Sequence, residues 1–432
     1  MRPPLRLPLR LPLRLPQRLS QRLPQRLPLR LPLGLAVAAL VAPAALLPAP
    51  ATAAPAGPQR TAEPAGDSWT VPRAATVTIT GRGYGHGHGM SQYGAEGAAR
   101  QGLTERQIAE FYYPGTSWGK AKGRVTVAIS ADTGDDVVVR PRSGLKVADL
   151  AGGGRVALPQ NGAKQWRIAR AGTGVLRVAY RTDRWRGWRD LKGNGEFYAG
   201  GRPITLVTPS GEKPYRGRLR AVRLGGGVET VNDLTLESYL KGVVPLEIPA
   251  SWSPAAVRAQ AIAARTYAAY ERAHPRSSGY QLCDTTSCQV YGGFSAEHPA
   301  SNAAIDATKG LALTVGGEPA FTQFASSSGG WTSAGSMPYL TAKKDPYDGW
   351  AGNPVHRWRA TVDDARLERA WPAIGDLRRI VVVDRDGNGQ WGGRVNTLRL
   401  VGGRGSVTVS GDTFRSVLGL RSTYLTFKVG AR

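Results

Sequence analysis

The chain has 432 residues and a formal net charge of +26, with 41% hydrophobic residues, 55 glycines, 31 prolines and two cysteines. The apolar content supplies a real core, the length allows one large domain or two ordinary ones, and the glycines and prolines imply many turns and short strands. The charge calls for an anionic partner, but the N-terminus argues against nucleic acid, the usual first candidate.

Residues 1–34 repeat an RLPLRLP-like unit with eight arginines and no acidic residue. Their prolines forbid a regular amphipathic helix. LGLAVAALVAPAALLPAP follows, an apolar run interrupted by Pro43 and too short for a firm membrane span. Ala51-Thr52-Ala53 then gives a small-residue cleavage site. Residues 1–53 are expected to be a secretory signal peptide with a long basic front; the alternative is an anchor that stays uncleaved. Residues 54–74 read as an Ala/Pro/Gly linker. The protein is therefore expected to be secreted or cell-wall associated. Without the first 34 residues the balance is still 49 basic to 31 acidic, which suits the anionic polymers of a wall. No nucleic acid is expected there.

ATVTITGRG (75–83) alternates and predicts a strand. GYGHGHGMSQYGA passes through glycine turns into a helix over 91–102, and Thr104 caps a second helix stopped by Pro114-Gly115. His86 and His88 have a spacing that can bind zinc. Glycine on every side favours a tight backbone path instead, lining a cleft with Ser91 and Gln92. Residues 123–233 change to period two and form a β-rich segment. Its outward basic residues read as a solvated face or, alternatively, a groove for an anionic glycan. Residues 234–272 are helical, and a loop with Cys283 and Cys288 follows. A lone close pair in an exported chain reads first as a disulfide. Beyond it come a short helix at 300–310, a Ser/Gly loop holding Ser328, and closing strands around a helix at 413–420. SSSGG has no evident base for a nucleophilic serine. DRDGNG (384–389) resembles half a calcium loop, but its twelfth position is Val395, so a turn is expected. Helices and strands are segregated rather than alternating, which predicts an α+β fold with short strands packed around a helical core carrying Glu247.

Glu247 stands between Pro245 and Pro249 among Val243, Val244, Ile248 and Trp252, just before a helix opened by Ser253-Pro254. Apolar neighbours raise a carboxyl pKa towards that of a general acid, whereas a helix N-terminus lowers it. Capping that helix or pairing with Arg258 is the plainer alternative. No second carboxylate stands beside it in sequence. Glycosidic hydrolysis normally needs two; one suffices when a hydroxyl of the sugar itself attacks. Gln260, Arg265 and Tyr267 interrupt the alanine surface of the helix, either satisfied in the core or aimed at a cleft.

YRGRLRAV (215–222), VNDLTLESYLKGVVPLEIPASW (231–252), VRAQAIAARTYA (257–268), CDTTSCQVYGG (283–293), SSSGGWT (326–332), SGDTFRSVLGLRST (410–423) and GRGYGHGHGMSQYGAEGAARQG (81–102) together resemble the SpoIID/LytB family of cell-wall proteins, over residues 75–430. In that family the last piece usually closes the domain. Its early place here implies a circular permutation, with ATVTITGRG lying beside STYLTFKVG (422–430). The resemblance implies a lytic transglycosylase that cleaves MurNAc–GlcNAc bonds of peptide-free peptidoglycan strands to 1,6-anhydro products. Glu247 would act as acid and then base. Gln260, Arg265, Tyr267, Gln289, Tyr291, Ser328, His86 and Gln92 would line the glycan cleft. Some members bind zinc with a histidine before the second cysteine. Ser287 holds that place here, so a Cys283–Cys288 disulfide is expected, no cofactor is expected, and zinc is the weaker alternative. The family also contains enhancers of a separate cell-wall amidase. A wall-binding, amidase-stimulating protein is thus the second expectation, with the amidase as partner.

Overall fold

The computed structural model describes residues 66–432. The expected signal peptide and most of the expected linker lie outside the described residues. Eight α-helices are present among them: α1 (Gln92–Arg100), α2 (Glu105–Tyr112), α3 (Leu236–Lys241), α4 (Val244–Glu247), α5 (Pro254–Ala273), α6 (Pro299–Ala307), α7 (Asp364–Ala370) and α8 (Gly411–Leu418). Strands are many and short, so the expected α+β class holds. None of these helices is long and apolar enough to cross a membrane.

Two hydrophobic cores organise the molecule. The larger is built on α5, whose alanines let neighbouring elements approach closely. Fourteen of its residues are buried, and Val257 and Ile262 among them contribute about 1.5–3 kcal/mol each on burial. α1, α2, α3 and α6 pack on it, together with the β-rich segment expected from the period-two pattern. That segment forms six strands of a seven-stranded sheet around Arg124–Ala128 and Gly227–Thr235, which Leu282–Cys283 completes, and a six-stranded sheet around Gln165–Gly172 and Val175–Arg181.

The second core collects the two ends of the described chain. Ala75–Arg82 alternates buried and half-buried positions, as its sequence does. It is the middle strand of three, antiparallel to both Arg357–Asp363 and Leu425–Ala431. Ile79 stands opposite Phe427, and Val77 opposite Val429. The expected adjacency of 75–83 with 422–430 is therefore present. The linker assignment needs correction at its end. Ser68–Thr70 forms an edge strand paired with Arg379, Ile380 and Val381, and Val71 is buried in the second core. Three residues with no clear alternation gave no strand signal; tertiary pairing supplies it.

Candidate active site

A cleft of about 570 Å³ opens where the two cores meet, within the roughly 300–1,000 Å³ usual for ligand sites. Four separate stretches wall it: the turns before α1, the α4–α5 region with the disulfide loop, residues 321–326, and α8. Glycine is needed to bring the first stretch against the third. Gly85 has φ 102°, and Gly89 has φ 65° with no room for a Cβ beside the Gln323 carbonyl. Tyr84 and Ser327 then exchange backbone hydrogen bonds of 2.9 and 3.1 Å, and Met90 pairs with Phe324.

Glu247 ends α4 and is half-buried at the cleft wall rather than inside the helical core. Its Oε1 accepts from the Val290 backbone N–H at 3.0 Å, and its Oε2 accepts from Gln92 Nε2 at 3.3 Å. Burial pushes its carboxyl above the ordinary value, and these two hydrogen bonds oppose the push without cancelling it. The capping and Arg258 alternatives do not occur. Ser253 at the start of α5 is engaged by Glu96 of α1, through its N–H at 2.8 Å and its hydroxyl at 3.2 Å. Arg258 faces Glu105. Glu247 is the only carboxylate lining the cleft among the described residues.

Gln92, the first residue of α1, is held by its N-cap. Ser91 Oγ accepts from Gly94 N at 2.9 Å and donates to Asp348 Oδ1 at 2.7 Å. Asp348 is fully buried and also receives Ser327 Oγ, the Ser328 and Gly329 backbone N–H groups and His356 Nδ1. Burial alone would raise its carboxyl; the donors, His356 foremost, hold it low. The neighbouring Asp345 takes Tyr112 OH and Ser328 Oγ, and burial with the Asp348 charge pushes its carboxyl up.

His86 lies in the cleft wall, its ring stacked 4.9 Å from His88, and its Nδ1 accepts the His88 N–H at 3.0 Å. Burial, with the charges of His88, Arg394 and Arg415, pushes it down to about 3. Tyr267 also lines the cleft, stacked on Phe321 at 5.4 Å, and its hydroxyl accepts from Arg276.

The other expected cleft residues lie elsewhere. Arg265 is fully buried, forks onto Glu237 at 2.9 and 2.8 Å, and donates to the Ile305 and Leu311 carbonyls. Gln260 is fully buried in the larger core. Gln289 bridges Tyr239 OH and the Ala264 carbonyl, and Tyr291 donates to Asn232 at 2.7 Å. Ser328 is spent on Asp345. These five are corrected from cleft-lining to internal positions. Gln289 and Tyr291 nonetheless flank Val290, whose N–H meets Glu247. Arg276, Arg415, Asp345 and Asp348 were missed in the sequence. DPYDGW (345–350) gave no sign of burial, and Arg415 reaches the cleft from a helix far along the chain.

Cys283 and Cys288 form a disulfide with Cα atoms 5.5 Å apart. With both sulfurs bonded and Ser287 between them, this loop does not fit a zinc ion. Among the described residues no three His, Cys, Asp or Glu side chains group as metal ligands.

Residues 225–315, which carry α3 to α6, Glu247 and both cysteines, match the model of the stage II sporulation protein family, SpoIID. That stretch belongs to the SpoIID family. The amidase enhancer of Bacillus subtilis is 41% identical over 135 residues, covering 30% of this chain and 17% of the relative. Stage II sporulation protein D of the same organism is 34% identical over 143 residues, covering 28% of this chain and 41% of the relative. The chain thus spans less than half the length of the curated relatives it matches. Gln92, His86 and Arg415 lie outside the SpoIID model match, yet they complete the cleft around its glutamate.

Proposed function

We propose that this protein is exported to the cell wall and acts there as a lytic transglycosylase on peptide-free glycan strands of peptidoglycan. The observation that carries the reading is a single carboxyl, raised by burial, as the only acidic group lining the cleft among the described residues. Two-carboxylate hydrolysis has no second group there; an internal attack needs none.

In the proposed reaction Glu247 begins protonated. Oε1 is fixed by Val290, so Oε2, more loosely held by Gln92, carries the proton. It passes to the glycosidic oxygen of GlcNAc as the bond from MurNAc C1 breaks. The C6 hydroxyl of the same MurNAc attacks C1, and its proton returns to Glu247. One C–O bond breaks and one forms, water is not consumed, and the carboxyl is regenerated. Tyr84, Phe321 and Phe324 offer ring faces for sugars, and His86, kept neutral, lines the cleft beside them. The early place of the GHGHGM segment is read as a circular permutation, which the pairing of Ala75–Arg82 with Leu425–Ala431 permits.

The purified chain, incubated with amidase-treated glycan strands, should yield 1,6-anhydro products by mass spectrometry, and Glu247→Gln should yield none. A second reading follows from the relative named amidase enhancer: a protein that binds the wall and stimulates an amidase. Binding of strands without any anhydro product, with acceleration of a cell-wall amidase that survives Glu247→Gln, would establish that reading in place of the first.

A further inference from the structure

We propose that Arg415 selects the substrate by binding the free lactyl carboxylate that a MurNAc unit carries once its stem peptide is gone. The assignment rests on the glycan-strand reading above.

Arg415 stands on α8, which Phe414 and Leu418 anchor in the second core, so a fixed element presents its guanidinium to the cleft. Two arginines line that cleft among the described residues, and they differ. Arg276 is committed, with both Glu271 oxygens at 2.7 and 2.8 Å and the Tyr267 hydroxyl at 3.0 Å. Arg415 is not. Its nearest carboxylate, Asp412, is 3.7 Å away on the same helix and 78% exposed, and its guanidinium makes no hydrogen bond among the described residues. Its side chain is only 25% exposed. A cation held at the cleft wall on a fixed helix, with its donors unspent, gains from an anion that offers two oxygens in one plane.

The charge of Arg415 reaches into the cleft. It adds to the burial that holds His86 neutral and acts on Arg394 behind it. A glycan strand offers mostly neutral groups, hydroxyls and acetamides. Its one regular anion is the carboxylate on the lactyl ether of MurNAc. When that carboxyl is condensed with a stem peptide it becomes a neutral amide, and the match to a guanidinium fork is lost. An arginine with free donors in the cleft therefore separates bare strands from peptide-bearing ones by charge as well as by bulk.

The test uses the full chain with Glu247→Gln, so that strands are bound and not consumed. Its affinity is measured for peptide-free strands and for the same strands with their lactyl carboxyls converted to methylamides. The bare strands should bind about 10–100-fold more tightly. Arg415→Gln, added to that chain, should erase the preference, and Arg415→Lys should keep part of it. A preference that survives Arg415→Gln, or no preference in the Glu247→Gln chain, overturns the assignment alone. No binding of either strand by the Glu247→Gln chain overturns the glycan reading and the assignment with it.

Discussion

Glu247 sits where its ionised form is disfavoured, and that has a cost in stability. Its folded pKa lies above its unfolded value, so stability falls as pH rises from the ordinary carboxyl range through the folded pKa. Glu247→Gln keeps the acceptor for Val290 and removes the charge. It should be more stable than the parent at pH 7, by about 0.5–2 kcal/mol, and lose that advantage at pH 4, as denaturant melts at both values would reveal. His86 has the opposite shift. The unfolded chain takes up a proton near 6.5, while folded His86 refuses one until about 3, so stability is lost across that window as the pH falls. His86→Gln should flatten the fall in melting temperature between pH 7 and pH 4. Asp345, raised by burial, works against this loss and stays in place in both proteins.

At the scale of elements, α5 shows what a sequence pattern can and cannot say. Its existence, start and end were legible from Ser253-Pro254 and the alanines. Which of its polar residues meet the cleft was not. Gln260 and Tyr267 are seven residues apart and share a face, yet only Tyr267 lines the cleft. Periodicity fixes a face, and the covering elements, α1, α2 and α6, come from elsewhere in the chain. Arg265 is a structural tie between α5, α3 and the strand after α6. Arg265→Ala would leave Glu237 without its partner and should cost about 3–5 kcal/mol in urea unfolding. The same limit hid Asp348: six residues of loop with two acids and two aromatics look solvated until the serines of two distant segments converge on them.

For the whole molecule, the strand pattern, the helix order and the meeting of Ala75–Arg82 with Leu425–Ala431 were legible, because alternation and motif order are local records. The position of the cleft between two cores was not, because it depends on how four stretches converge. The second core depends on its final strand. A chain ending at Tyr424 loses Leu425 and Phe427 from that core and one whole side of Ala75–Arg82. Hydrogen exchange should then show lost protection over 75–82 and 357–363, while α5 stays protected.

That clasp of Ala75–Arg82 by Leu425–Ala431 has a consequence in time. A chain made from its N-terminus can close its larger core early, but Ala75–Arg82 must wait, half paired, until Leu425–Ala431 has emerged. The turns that carry His86 and the helix that carries Arg415 are tethered to that late event. Completion of the binding cleft thereby waits on Leu425–Ala431, and a chain that has not yet reached that strand holds its glutamate beside an unfinished wall.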